Sequence, residues 1–480
     1  MDFPTSSPSE QGVAADGISA FIEAIEADSR IEPHGLIIQR HGHRVAEGYW
    51  APHTPNRCRL VYSLSKTFTG TALALQLGEG RLALDDLVSS HLPELFEFAD
   101  DRTRRMSVRH IASMATGHDR EMLLEAVVAN SDDPVRGFFT IPPDEEPGTL
   151  FAYNQPPVLA LATILQRLAG ERLVDYLRPR VLDPIGIGDL RWAQWRPGID
   201  LGFSGVHTNL DAVARLGQLY LDDGTWEGTR LLPAGWVADA SRVQIPNPQR
   251  DEPDWQQGYG FQLWMSRHGY RGDGAFGQYM VVLPEHDAVV AMFSCVEKMQ
   301  LVLDLMWQHL VPAMGPASTE PGVKEPEVTE PGVTEPGAAD DDLRARLQSL
   351  VVPTAAQRLG GTPFAPMDLQ LLPGVIGPQS HRTVTAIDIS GDRLILREGE
   401  ATVVVPMSTE WSTIVDAPIA TSACSCPNGR IAVDLVMLDT PHRLELTLDP
   451  ITSTFSSHWP VMPLFLAGLD NRLTAMRAPN

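Results

Sequence analysis

The chain has 480 residues, 43% hydrophobic and 20% charged, with a formal net charge of −24. That is ample apolar material for more than one globular domain, and so acidic a surface repels nucleic acid and anionic membrane. The opening MDFPTSSPSEQG has no basic-then-apolar signal pattern and no apolar run is long enough to span a bilayer, so a cytoplasmic protein is expected.

In chain order, HGLIIQRHGHRVAEGYW (34–50) reads as two short strands about a Gly42 turn. His41 and His43 flank that turn, and nothing nearby completes a ligand set, so no metal is expected there. A helix is predicted from about Ser65 to Leu77, closed by Gly78 and Gly80. PPVLALATILQRLAG (156–170) and LDAVARLGQLYLDDG (210–224) are two more helices. QYMVVLPEHDAVVAMFS (278–294) is a pair of strands joined by a Pro-Glu-His-Asp turn. Strands at both ends and helices between them suit a sheet built from both chain ends with a helical region inserted, an α/β or α+β domain. From Glu320, EPGVK, EPEVT, EPGVT and EPGAA run on into Asp340-Asp341-Asp342, and 313–342 reads as an extended linker. It separates a large domain, 1–312, from a smaller one, 343–480. Period-two alternation in TVTAIDISGDRLILREGE (383–400) and HRLELTLDP (442–450) makes the smaller domain a small antiparallel sheet or barrel. Four cysteines, Cys58, Cys295, Cys424 and Cys426, are too few for a disulfide scaffold. Cys424 and Cys426 lack a second ligand pair and read as structural.

Of 37 basic side chains only three are lysine, Lys66, Lys298 and Lys324. Lys66 stands in YSLSKTFTG, three residues after Ser63, in the chain's one Ser-x-x-Lys. At i and i+3 on a helix the two heads share a face. A neutral amine there can take the serine proton and make a nucleophile, which a guanidinium cannot do. A salt bridge could use Arg, as elsewhere in this chain; a base, or a compact charge tuned by burial, needs Lys. Ser63 opens the helix, where the macrodipole favours developing negative charge and its own N–H can serve an oxyanion hole.

These residues resemble the first motif of the serine beta-lactamase and penicillin-binding protein superfamily, and are most similar to its class C-like branch of esterases, D-aminopeptidases and D,D-peptidases. The resemblance spans about residues 10–310. It implies a beta-lactamase-like transpeptidase fold: an antiparallel sheet with an all-helical region, to which the small all-β domain is appended. PGTLFAYNQPP (147–157) looks like the family's Tyr-x-Asn motif. The resemblance makes Tyr153 the general base and acid, and puts Gln155 where Asn usually contacts the substrate amide. GYRGDGAFGQYMVVLPEHDAVV (269–290) is similar to the closing strand pair, with Tyr270-Arg271-Gly272 in place of Lys-Thr-Gly or His-x-Gly. In this register Arg271 replaces the cation that binds a substrate carboxylate, with His268 the substitute if the register shifts, and the Asp273 N–H is the second oxyanion donor. VRHIASMATGHDRE (108–121) and FSGVHTNLDAVARLGQLYLDDG (203–224) resemble further family segments, with Gly117 at a turn and His118 either lining the cleft or buried.

The resemblance implies acyl transfer through a covalent serine ester, with no metal or organic cofactor. The expected substrate is a small ester, amide or peptide-like molecule, hydrolysed by a carboxylesterase or small-amide hydrolase. A beta-lactamase or D-amino-acid peptidase is the alternative, and a non-catalytic binding protein of the same fold the third. A homo-oligomer is compatible with all three.

Overall fold

The computed structural model describes residues 3–315, 336–414 and 418–464. The N-terminal part carries a six-stranded antiparallel sheet assembled from both ends of its sequence. Helix α1 (Ala15–Ala27) precedes strands β1 (Ile31–Arg40) and β2 (His43–Tyr49). Helices α2 (Ser65–Gly78), α3 (Gln155–Ala169) and α4 (Leu210–Leu221) follow, and then β3 (Trp264–Met265), β4 (Tyr270–Gly274), β5 (Gln278–Leu283) and β6 (Ala288–Val296). The sheet order is β3-β4-β5-β6-β1-β2.

Strand β6, AVVAMFSCV, is buried at every position because both faces of the sheet are covered. On one side lies α1, whose Ile18, Phe21, Ile22 and Ile25 are fully buried; on the other lies α4, whose Gly217 lets the helix settle against Val289 and Met280. Helix α2 is buried from Ser65 to Gln76. Its Thr, Gly and Ala residues present no polar stripe, as a helix enclosed on all sides requires. The helices expected from sequence are present within one to three residues of their predicted ends.

Part of the range expected to be an extended linker is helical. Residues 316–335 lie outside the described residues, but Pro336–Gln348 is a helix, α5, inside the range predicted to be extended. Leu343, Leu347 and Leu350 recur at i, i+4 and i+7 and bury into the N-terminal core, while Arg346 pairs with Glu26. The chain then bonds to Ala51 on both sides, Ala51 N–H to Leu350 O at 2.9 Å and Val352 N–H to Ala51 O at 2.8 Å. The N-terminal unit therefore includes residues up to about 352. Acidic side chains on the solvent face of α5 mask an apolar stripe that composition alone does not reveal.

The C-terminal unit is one nine-stranded sheet. Its strands are β7 (Met367–Pro373), β8 (Ala386–Gly391), β9 (Arg393–Glu398), β10 (Ala401–Pro406), β11 (Ser412–Thr413), β12 (Ile419–Ser425), β13 (Ile431–Met437), β14 (Arg443–Asp449) and β15 (Thr454–His458). All neighbours are antiparallel except β7 and β15, which pair parallel. The far ends of the sheet meet: Thr421 Oγ1 donates to Pro406 O at 2.8 Å and Ala423 N–H to Ser408 O at 2.6 Å. The sheet thereby nearly closes around one core of Ile387, Leu394, Val433, Leu446 and Trp459. Cys424 is buried, Cys426 half-buried, and both are free thiols. Among the described residues no helix is long and apolar enough to cross a membrane.

Candidate active site

Ser63 lies in a single 3₁₀ turn, Tyr62–Leu64, that runs directly into α2. A residue in the first helical turn has no partner four residues back for its N–H. Tyr62 takes a positive φ of 48°, a conformation that costs a non-glycine residue on the order of 1 kcal/mol. The turn is pinned from below by Ser65, whose Oγ donates to Tyr62 O at 2.6 Å and accepts from Val206 N–H at 2.9 Å. Ser63 itself is half-buried.

One helical turn on, Lys66 is 1% exposed. Its Nζ is 3.1 Å from Ser63 Oγ, 2.7 Å from Gln155 Oε1 and 2.9 Å from Phe203 O. Burial pulls the amine down from its ordinary value to about 7, against the opposing fields of Asp273 and Glu121. A substantial fraction of Lys66 is therefore neutral near pH 7, where an exposed lysine is fully charged.

Tyr153 precedes α3 and stacks on Trp264, ring centroids 5.0 Å apart and planes 28° from parallel. Lys66 Nζ sits 4.7 Å from the centre of the Tyr153 ring. Burial, and then the Asp273 carboxylate, push the phenol well above its usual range; a hydrogen bond with Ser63 acts in the other direction. At neutral pH Tyr153 is a protonated phenol, able to donate. The structure thus brings Ser63, Lys66 and Tyr153 into one cluster.

Gln155 joins them, but its carbonyl oxygen is spent on Lys66 rather than turned to an open cleft. Its neighbour Asn154 is fully buried and accepts from Met122 N–H at 3.0 Å, fixing the loop that leads to Glu121. Glu121 accepts from the N–H groups of Leu123 and Gln155 at 2.9 and 3.3 Å, which places its charge beside the start of α3.

Strand β4 crosses the start of α2 at very close range. A Cβ on Gly272 would stand 2.3 Å from Thr67 Oγ1, and one on Gly274 would stand 2.0 Å from Val61 O. Only glycine permits this approach, which carries the Asp273 backbone alongside the Ser63 turn. Arg271 does not serve a substrate. It is fully buried, its guanidinium held by Asp273 Oδ2 at 2.9 Å, Asp254 O at 3.0 Å, Met265 O at 2.9 Å and Ser266 Oγ at 2.6 Å, and lying 4.4 Å from the Trp255 ring. The expected carboxylate-binding role of Arg271 is corrected on this ground. His268 is in the β3–β4 turn beside Trp307, six residues or roughly 20 Å of strand from Gly274. That also removes it from the site. His118 is buried, bonded to Thr116 and to Ile141 O and packed on Phe138. It is a structural residue.

Arg271 and Asp273 form a buried ion pair, and removing one partner of such a pair strands the other. Arg271→Ala is therefore expected to cost about 3–5 kcal/mol of unfolding free energy in urea titrations, with part of the loss recovered in Arg271→Ala/Asp273→Asn. A cost below 1 kcal/mol would show that Arg271 is not carrying Asp273.

One group of side chains resembles a metal site. Glu32, His34 and His53 bring ligand atoms within 4.8 Å of one another. Glu32 is shared between His34 Nε2 and Arg443, each at 3.1 Å, and Arg59 adds a second guanidinium that acts on both imidazoles. Burial first, and then Arg59 and Arg443 for His34, or the neighbouring His34 and Arg59 for His53, hold both imidazoles well below their ordinary pKa. Two guanidiniums beside three ligands oppose a dication, and the cluster works as a junction between the two units of the chain.

The Beta-lactamase family profile matches residues 18–303. The 6-aminohexanoate-dimer hydrolase of Paenarthrobacter ureafaciens is 24% identical over 311 residues, 60% of this chain and 79% of that protein. Penicillin-binding protein 4 of Amycolatopsis lactamdurans is 25% identical over 273 residues, 48% of this chain and 70% of that one. Among solved structures, EstCE1, described as a hydrolase with promiscuous acyltransferase activity, shares the fold with a TM-score of 0.51 at 17% identity, over 63% of this chain and all of its own.

Proposed function

This chain belongs to the Beta-lactamase family, and from that premise we propose that it hydrolyses small esters or amides through a covalent acyl-Ser63 intermediate. The observation that carries this is the 3.1 Å contact between Ser63 Oγ and a buried amine whose pKa has fallen to about 7. Neutral Lys66 takes the Ser63 proton as Oγ bonds to the substrate carbonyl carbon. The N–H groups of Ser63 and Asp273 receive the oxyanion. Tyr153 delivers its phenolic proton to the departing alcohol or amine and is reprotonated from the Lys66 ammonium, so the serine proton leaves with the product. Water then attacks the acyl ester by the same path in reverse, releasing the acid and restoring Ser63.

Substrate class follows from what the site has already spent. The Arg271 guanidinium is enclosed and so is not offered to the carboxylate of a β-lactam, while Gln155 commits its Oε1 to Lys66 and keeps only its Nε2 donors for a substrate. The relative named for 6-aminohexanoate dimer, and the hydrolase with acyltransferase activity that shares the fold, favour a small acyclic acyl group. Incubating the purified protein with a fluorophosphonate, then with p-nitrophenyl esters, D-amino-acid amides and nitrocefin, tests this. One adduct per chain at Ser63, and faster turnover of short-chain esters than of nitrocefin, are the expected results. No adduct would favour a binding protein, and preferred turnover of nitrocefin or D-amino-acid amides would favour the beta-lactamase or peptidase alternative.

A further inference from the structure

We propose that the C-terminal β unit is part of the catalytic apparatus, with His442 a positioning residue that holds the nucleophile turn through Tyr62. The proposal rests on Ser63 being the nucleophile. Tyr62 immediately precedes Ser63 and sits at a positive φ, which persists only where the surroundings hold it. Besides Ser65, a hold comes from 380 residues away. The Tyr62 hydroxyl lies 2.7 Å from His442 Nε2, with the His442 ring fully buried.

The direction of that bond follows from its neighbour. His442 Nδ1 is 3.2 Å from Val461 O, and a carbonyl only accepts. Nδ1 therefore carries a proton, and in the neutral ring Nε2 is the acceptor to which the Tyr62 O–H donates. A second segment reaches the same imidazole. Phe276, in the β4–β5 turn and also at positive φ, packs edge-on against both Tyr62 (5.3 Å, 76°) and His442 (4.7 Å, 78°). Just upstream of Tyr62, Leu60 N–H donates to Asp439 O at 2.8 Å, so the backbone of the turn is stitched to the same loop.

The two stretches of backbone that would supply the oxyanion donors, at Ser63 and at the end of β4, thus converge on one ring contributed by the other unit. Oxyanion stabilisation depends on donors fixed in advance of the reaction, and a small rotation at Tyr62 turns both Ser63 Oγ and its N–H. The β unit is therefore a fixed part of the rear wall of the site.

Tyr62→Phe removes one hydroxyl and keeps the ring; His442→Phe removes the acceptor and keeps an aromatic face for Phe276. In the full-length chain each is expected to lower kcat for a p-nitrophenyl ester, and the rate of phosphonate labelling of Ser63, about tenfold. KM should stay within about twofold. The double variant should be no slower than the slower single one, because both break the same bond. Trp411→Phe is the control: it removes the 2.7 Å bond from Trp411 Nε1 to Val352 O, another link between the two units. It should lower the melting temperature and leave kcat unchanged. Folded single variants with parental kcat, losses that multiply in the double variant, or an equal kcat loss in Trp411→Phe would each overturn the proposal. Absence of a Ser63 adduct in the parent would overturn the nucleophile reading and this proposal with it, whereas a labelled parent with unaffected variants overturns this proposal alone.

Discussion

Ser63→Ala is expected to lower p-nitrophenyl ester hydrolysis by about 10⁴-fold or more, the scale seen when a nucleophile is removed from a working acyl-transfer site. Truncation takes away the atom that forms the covalent bond and leaves the oxyanion donors in place. The fold should be unaffected. Ser63 is half-buried, and Lys66, which loses one acceptor at 3.1 Å, keeps Gln155 Oε1 and Phe203 O at 2.7 and 2.9 Å. The melting temperature is therefore expected to match the parent's, and the phosphonate adduct to vanish. A Ser63→Ala protein that turns over ester at the parental rate would remove Ser63 from the mechanism.

Lys66→Arg is expected to cost about 10³-fold in kcat/KM, within the range for losing a positioned base. Arg retains the charge and cannot surrender a proton. The pH dependence follows from the direction of the Lys66 shift. Burial lowers its pKa from the ordinary lysine value to about 7, and the unprotonated amine is the form the proposed mechanism uses. Parental kcat/KM should therefore fall with unit slope as the pH drops through about 7 and level off above it. The same shift affects stability with a definite sign. Between about 7 and the ordinary lysine range, the unfolded chain binds the Lys66 proton and the folded chain does not. Unfolding free energy should therefore rise with pH across that window, by up to about 1.4 kcal/mol per unit. Lys66→Met, which removes the titration, should flatten that rise in urea unfolding series at successive pH values.

Which of these groups can be read from sequence depends on the distance over which they interact. Ser63 and Lys66 stand one helical turn apart, so spacing alone brings them together, and the scarcity of lysine marks the pair. Tyr153 comes from resemblance to a family motif, since nothing in residues 147–157 by themselves points to Ser63. The third motif is harder, because strand alternation does not say which face is which. Gly272 and Gly274 turn toward α2 and the Ser63 turn, and Arg271 packs among Trp255, Trp264 and Asp254, partners that a linear reading does not assemble. Phe203 is bonded to Lys66 through its carbonyl, a group every residue carries, so no side-chain pattern points to that bond. Helix α5 was hidden by its charge, its Leu343–Leu347–Leu350 spacing being the one usable signal. The Tyr62–His442 bond joins residues that no local pattern relates, and only the folded chain shows it.

The neutral amine at Lys66 can be observed directly, because the chain has just three lysines. Labelling the lysine ε-carbons with ¹³C gives three side-chain signals, and Lys66→Arg identifies one of them by its loss. Titration of the parental spectrum should show the Lys66 signal moving with a midpoint near 7. A Lys66 midpoint above pH 10 would contradict the mechanism, because the amine beside Ser63 would then be an ammonium throughout the neutral range.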